Sequence, residues 1–286
     1  MFVLFSSFLY DFKYNRQGGV DSMVEKVGID AGGSLIKVAY EENGELIFKT
    51  FSEVDILLTW LKDLSPDAEL YLTGGKSAHL HKFVRHRSHL KEEFQAIIDG
   101  TRFLLEQEQE SLPDNFLITS IGTGTSVFHV AGESHNRLFG SGIGGGTLMG
   151  LGMLISGKVK FHDIIALAES GNRQHSDLLV KDIYTPGDAP LLGDLTAANF
   201  GKAHLNAQAT NEDHLASLIQ LIGETIISLA GQAAVATGSE KIVFVGRTLN
   251  ENEPLKKVLS SFQAMLPYEP IFLDNGAYVG AVGSLI

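Results

Sequence analysis

The chain has 286 residues, 44% hydrophobic and 20% charged, enough to bury one large core or two smaller ones and too apolar for a disordered segment. A formal net charge of −12 argues against a nucleic acid or an anionic membrane surface as the main partner. Cysteine is absent, which excludes disulfides, thiolate catalysis, Cys-ligated zinc and iron–sulfur clusters and makes a cytoplasmic location the simplest reading.

Residues 1–22, MFVLFSSFLYDFKYNRQGGVDS, differ in character from the rest of the chain. Their apolar start has no charged stretch before it and no small-residue cleavage site after it, so we read 1–22 as an extension outside the fold, with Met23 as the natural start. Alternating apolar residues predict strands over 26–30, 35–41 and 45–51, separated by the turn-prone Ala31-Gly32-Gly33 and Asn43-Gly44, a β-meander pattern. A helix is predicted over 54–64, a strand over 69–73 ending in Gly74-Gly75, and a polar helix over 90–109. From 116 the order restarts, with strands at 116–121, 126–131 and 136–139 and a helix near 147–155. An irregular polar middle leads to a long helix at 214–237, a strand at 242–246, a helix at 254–265, a strand at 271–273 and a last helix from 276. The apolar run 215–236 is interrupted by Gln220, Glu224 and Gln232, so it reads as a buried core helix and not a membrane span.

The halves align with each other. Residues 28–38, GIDAGGSLIKV, run parallel to residues 120–130, SIGTGTSVFHV, with Ile29 on Ile121, Gly32 on Gly124, Ser34 on Ser126 and Val38 on Val130 and no gap. Each copy is an apolar strand, a glycine turn with a small hydroxyl residue, and a second apolar strand. The alignment predicts a duplicated chain whose two hairpins grip a polyphosphate from both sides of a cleft. A net-negative protein must hold such a ligand locally, with backbone N–H groups, helix N-termini, a few cations and Mg²⁺.

The strand, Asp30-Ala-Gly-Gly-Ser34 turn and strand with Lys37 beyond resembles the first phosphate motif of the actin, heat-shock ATPase and sugar kinase superfamily, and Gly122-Thr-Gly-Thr125 resembles the second. The strings VGIDAGGSLIK (27–37), LTGG (72–75), IGTGTS (121–126), GGGTLMGLG (144–152), GDLTAANFG (193–201) and DNGAYVGAVG (274–283) are, in this order, similar to type II pantothenate kinases. The resemblance covers nearly all of the chain beyond residue 22. It implies an α/β protein with a duplicated ribonuclease H-like, actin-like ATPase fold. The lobes would be 23–115 and 116–286, with the last helix free to return to the first lobe. It further implies an ATP-dependent, Mg²⁺-dependent kinase of pantothenate, working as a cytoplasmic homodimer without nucleic-acid or membrane partners.

By this resemblance Ala31, Gly32, Gly33, Ser34, Leu35, Ile36 and Lys37 approach ATP, and Asp30 holds Mg²⁺ through water. Lys37 reads equally as a phosphate-neutralising cation or an exposed strand lysine. Thr123, Gly145, Gly146, Thr147, Leu148 and Met149 are implied on the nucleotide side, with Phe161 and Arg247 at the adenine end. Arg247 departs from the small polar residue frequent there. Arg137 and Thr125 are implied to meet pantothenate, a guanidinium fork suiting a carboxylate. Glu92 and Glu93 read on their own as acids in a helix's first turn. The resemblance selects Glu93 as general base, seven residues before Gly100. His79, His81, His86 and His89 match no metal-ligand spacing and, with Lys82, Arg85 and Arg87 among them, read as a solvated basic loop. Two rival readings are a kinase of another small acceptor, such as an amino sugar, and a nucleotide-binding regulatory module without catalysis.

Overall fold

The computed structural model describes residues 24–108, 112–184, 187 and 192–286. The expected extension 1–22 and Met23 lie outside them. The chain divides into two compact units, one running to Leu112 and completed by Leu273–Ile286, the other spanning Pro113–Phe272.

In the first unit β1 (Lys26–Ala31), β2 (Ile36–Glu42) and β3 (Glu45–Phe51) form the meander. The β2–β3 turn uses Asn43 and Gly44, both at positive φ, as a two-residue hairpin of right-handed twist requires. β4 (Glu69–Thr73) and the short β5 (Ser88–Leu90) add in parallel, giving the order β3-β2-β1-β4-β5. Strand alternation sends Val27, Ile29, Leu70 and Leu72 to one core, shared with Leu57 and Leu61 of α1 (Val54–Leu64). The expected helix 90–109 starts later, because Leu90 pairs with Leu72 in the sheet. A short α2 (Ser77–Leu80) follows β4, and α3 covers Glu93–Glu108.

The other face of this sheet carries the C-terminal helix Val279–Leu285. Glycines set its distance from its neighbours. A Cβ on Gly28 of β1 would stand 2.1 Å from the carbonyl oxygen of Ala281, one on Gly100 of α3 1.8 Å from that of Val279, and one on Gly283 1.8 Å from that of Ala96. Backbone therefore meets backbone on both sides of this helix.

The second unit repeats the plan. β6 (Asn115–Ile121), β7 (Thr125–Ala131) and β8 (Ser134–Ser141) form an antiparallel meander, and β6 continues in parallel to β11 (Lys241–Val245) and β12 (Glu269–Phe272). The order β8-β7-β6-β11-β12 matches β3-β2-β1-β4-β5 strand for strand. Between β8 and β11 come α4 (Gly145–Ser156), α5 (Phe161–Ser170), the two-stranded β9 (Leu178–Leu179) and β10 (Thr196–Ala198), α6 (Val180–Tyr184) and α7 (Asn211–Thr237); α8 (Glu253–Ser260) follows β11. By length and composition α7 is apolar enough to cross a bilayer, but Leu215, Leu218, Ile219, Ile222, Ile226, Ile227 and Ala230 lie in the unit's core. Its N-terminus is closed by a reciprocal capping box between Thr210 and Asp213.

The ladders correct one sequence expectation. The hairpins do not coincide without a gap. The last pair is Ala31–Ile36 in the first unit and Ile121–Thr125 in the second, so the turns hold residues 32–35 and 122–124. Parallel neighbours agree: Asp30 lies beside Thr73 and Ser120 beside Val245, each followed by a positive-φ glycine, Gly74 or Gly246. The counterpart of Asp30 is therefore Ser120, not Gly122. Glycine-rich turns align by composition at any small offset, whereas the hydrogen-bond ladder admits one.

Candidate functional site

In the first unit Asp30 leaves β1 at the mouth of the loop, and its Oδ2 accepts a hydrogen bond of 2.9 Å from the Lys37 ammonium directly across the β1–β2 ladder. Both side chains are mostly buried. The ladder places Lys37 opposite Asp30, so its ammonium is paired with this carboxylate. Two glycines fence the carboxylate. A Cβ on Gly74 would stand 2.5 Å from Oδ1, and one on Gly280 3.0 Å from Oδ2. The turn is closed by Gly32 N–H donating to the Leu35 carbonyl at 3.2 Å, leaving Gly33 and Ser34 exposed at its tip while Ala31 and Ile36 point into the core. Beside Asp30, the Thr73 hydroxyl is fully buried with no partner among the described residues.

Helix α3 separates the two neighbouring glutamates. Glu92 caps it, its Oε2 accepting from Gln95 N–H at 2.7 Å. Glu93 is the first helical residue and does none of this. It is exposed as a residue, yet the protein around its carboxyl removes enough water to raise its pKa. The negative charges of Asp30 and Glu92 add to that rise, and Lys37 opposes it. The same helix presses Gly100 onto the C-terminal helix, and that helix bears Gly280 against Asp30. One helix contact thus helps set the positions of Asp30 and Glu93.

In the second unit the loop 122–124 is tied to α4. Gly145 N–H donates to the Gly122 carbonyl and Gly146 N–H to the Thr123 carbonyl, each at 2.8 Å. A Cβ on Gly144, Gly145 or Gly146 would stand within 3.0 Å of this loop or of Thr248, which is why the sequence runs GGG here. Thr147 donates its hydroxyl to the Gly142 carbonyl at 2.8 Å, and Thr125 its own to the Ile143 carbonyl at 2.7 Å. Leu148 is wholly buried, with Met149 and Phe161 at the edge of the same core. Thr123 is exposed.

Arg137 lies on β8 with its guanidinium over Gly140 and 3.4 Å from the Ser126 hydroxyl. Arg247 is exposed in the short turn after β11. Sequence reasoning missed its neighbour Thr248, whose buried hydroxyl donates to the Gly122 carbonyl at 3.0 Å and pins the turn to the loop. The signal was the strand-ending Gly246, the repeat of Gly74.

The string GDLTAANFG acquires a mechanical reason. Arg173 donates to the Asp194 carbonyl and to the Thr196 hydroxyl. Glu224 of α7 in turn accepts from Thr196, Asn199 and Gln220. Phe200 sits at φ 56 and donates its N–H to Asp177, a fully buried carboxylate. Burial raises the Asp177 pKa, and the hydrogen bonds from Phe200, Ser217 and Arg173 act against that rise. The predicted loop histidines each have a neighbour of their own: His81 the Ser88 hydroxyl, His86 the Ser65 carbonyl, His89 the Tyr71 ring and His79 the Phe83 ring.

A family model described as Fumble matches residues 43–286. The chain is 44% identical over 265 residues to the type II pantothenate kinase of Oceanobacillus iheyensis, covering 92% of this chain and 99% of that one. It is 36% identical over 264 residues to the type II pantothenate kinase of Staphylococcus saprophyticus subsp. saprophyticus, covering 91% and 99%. Among solved structures it resembles the activator of the 2-hydroxyisocaproyl-CoA dehydratase from Clostridium difficile with bound ADPNP, at TM-score 0.61 and 16% identity over 91% of this chain and 92% of that one.

Proposed function

The chain belongs to the Fumble family of type II pantothenate kinases and has the duplicated actin-like α/β fold, and on that premise we propose that it transfers the γ-phosphoryl group of ATP to the 4′-hydroxyl of pantothenate. The product is 4′-phosphopantothenate, and the reaction opens coenzyme A biosynthesis. The observation that carries this reading is similarity to two such kinases, at 44% and 36% identity, in alignments that cover 99% of each.

Glu93 takes the proton of the 4′-hydroxyl as its oxygen attacks the γ-phosphorus. The bond from that phosphorus to the β–γ bridging oxygen breaks, and ADP leaves. A raised pKa suits a base that must gain a proton in the transition state. Gly32, Gly33 and Ser34 give the phosphates close backbone approach. Gly145 and Gly146 contribute lack of bulk more than N–H donors, since their amides already serve the loop carbonyls. Thr123, Thr147, Met149, Phe161 and Arg247 line the nucleotide, and Arg137 forks onto the pantothenate carboxylate with Thr125 beside it. Asp30, one carboxylate with Lys37 on one oxygen, fits a Mg²⁺ held through water, which when bound neutralises phosphate charge. A cytoplasmic homodimer completes the reading, with Leu229 and Val235 exposed on α7.

ATP consumption is expected to depend on pantothenate and not on an amino sugar. Turnover with the amino sugar alone moves the acceptor assignment, and nucleotide binding without turnover favours the regulatory reading. Arg137→Ala should raise the KM for pantothenate by roughly 10- to 100-fold, the loss of one charged hydrogen bond, with the KM for ATP little changed. If the ATP constant moves instead, Arg137 belongs to the phosphate side.

A further inference from the structure

Between β4 and α3 the chain carries Lys76, Lys82, Arg85, Arg87 and Lys91 and no acidic residue before Glu92, although the protein as a whole is strongly acidic. Two of these cations are held by carboxylates, Arg87 by Glu69 and Lys91 by Asp99, each at 2.8 Å. Lys76, the first of them, is held differently. Its N–H donates to the Ala31 carbonyl at 2.9 Å and its ammonium to the Gly33 carbonyl, so both ends of the residue are fastened to the Asp30–Ser34 turn. It is exposed, and among the described residues no carboxylate pairs with it.

We propose that Lys76 is a phosphate-contacting residue of this kinase, moving from the Gly33 carbonyl to the terminal phosphoryl group of bound ATP. The inference rests on the kinase reading above and adds a cation that the family resemblance did not supply. Its chemistry is set by the acceptors. Lys37 already neutralises a carboxylate, whereas Lys76 gives one of its three donors to a neutral carbonyl and keeps its full charge. A phosphate oxygen is the stronger acceptor for an ammonium, so the exchange is favourable once an anion reaches the turn. The terminal phosphoryl is the expected target because this turn and Glu93 belong to one unit, and Asp30 acts electrostatically on Glu93.

The test is calorimetry of Mg·ATP and Mg·ADP binding to the full chain without any acceptor, alongside melting of the unliganded protein. Lys76→Met should weaken Mg·ATP about 10- to 100-fold and Mg·ADP much less, with melting close to wild type. Lys76→Arg should restore most of the ATP preference, and Lys82→Met should change neither affinity. Two results overturn the proposal: Lys76→Met binding Mg·ATP as wild type does, or losing both nucleotides equally with a lowered melting temperature, the mark of a loop tie and nothing more. A wild-type protein that binds no nucleotide overturns the kinase reading itself, which no variant result does.

Discussion

Replacing Glu93 by Gln should lower kcat by about 10²- to 10⁴-fold, the usual contribution of a general base, while Mg·ATP and pantothenate should still bind. Calorimetry and single-turnover assays check the two halves of that statement. The raised pKa sharpens it. A base whose folded pKa lies above the ordinary glutamate range, about 4.3, loses its active form at a higher pH as acid is added, so the acid limb of kcat/KM should lie above that range and vanish in Glu93→Gln. Stability follows the opposite sign. A carboxyl with a raised folded pKa contributes stability below its unfolded pKa and loses it as pH rises through the folded one. Where it is ionised, Glu93 therefore weighs against the fold, and above its folded pKa Glu93→Gln should melt at or above the wild-type temperature. Glu92→Gln keeps an oxygen for the Gln95 N–H and should be nearly silent in turnover. Reversal of the two effects would move the base to Glu92. Absence of any loss in either variant would remove the proposed mechanism whatever the acceptor.

How much of this was legible in the sequence depends on how local the cause was. The meanders, α1 and α7 were readable because strand alternation, Asn43-Gly44 and a long apolar helical run act within a few residues. α5 was missed inside the supposedly irregular middle, although Phe161, Ile164, Ile165 and Ala168 have helical spacing and three of them are buried. Glu93 could be separated from Glu92 only by resemblance. In the structure the distinction is physical, since one carboxylate caps the helix and the other faces the charge of Asp30. The GDLTAANFG string could be recognised but not explained, because its partners Arg173, Asp177 and Glu224 lie about twenty or more residues away in sequence. The gap-free overlay of the hairpins failed for a related reason, as register is a property of two strands and not of one string.

The glycine seven residues beyond Glu93 carries the largest expected effect on stability. Gly100 meets the C-terminal helix so closely that an added Cβ would stand 1.8 Å from the Val279 carbonyl oxygen and 2.7 Å from Gly283 N. These are backbone atoms of a second helix, which cannot swing aside as a flexible side chain does, so α3 and the C-terminal helix must separate. Overpacking of this kind costs about 3 kcal/mol, and Gly100→Ala should lower the melting temperature by on the order of 10 °C. Gly150 supplies the contrast, an exposed glycine inside α4 whose added Cβ meets nothing within 4 Å. Gly150→Ala should hold or gain stability, by roughly 0.5–1 kcal/mol, from helix propensity alone. Gly100 stands two turns along α3 from Glu93, and its partner helix carries Gly280 against Asp30, so the separation should also displace both carboxylates. A displacement of about 1 Å is enough for roughly 10²-fold in rate. Assayed well below its melting temperature, Gly100→Ala should therefore lose kcat beyond its unfolded fraction, with its circular dichroism native. Native melting would show that the helices have room to spare, and native kcat in the folded protein would show that their contact does not position Glu93.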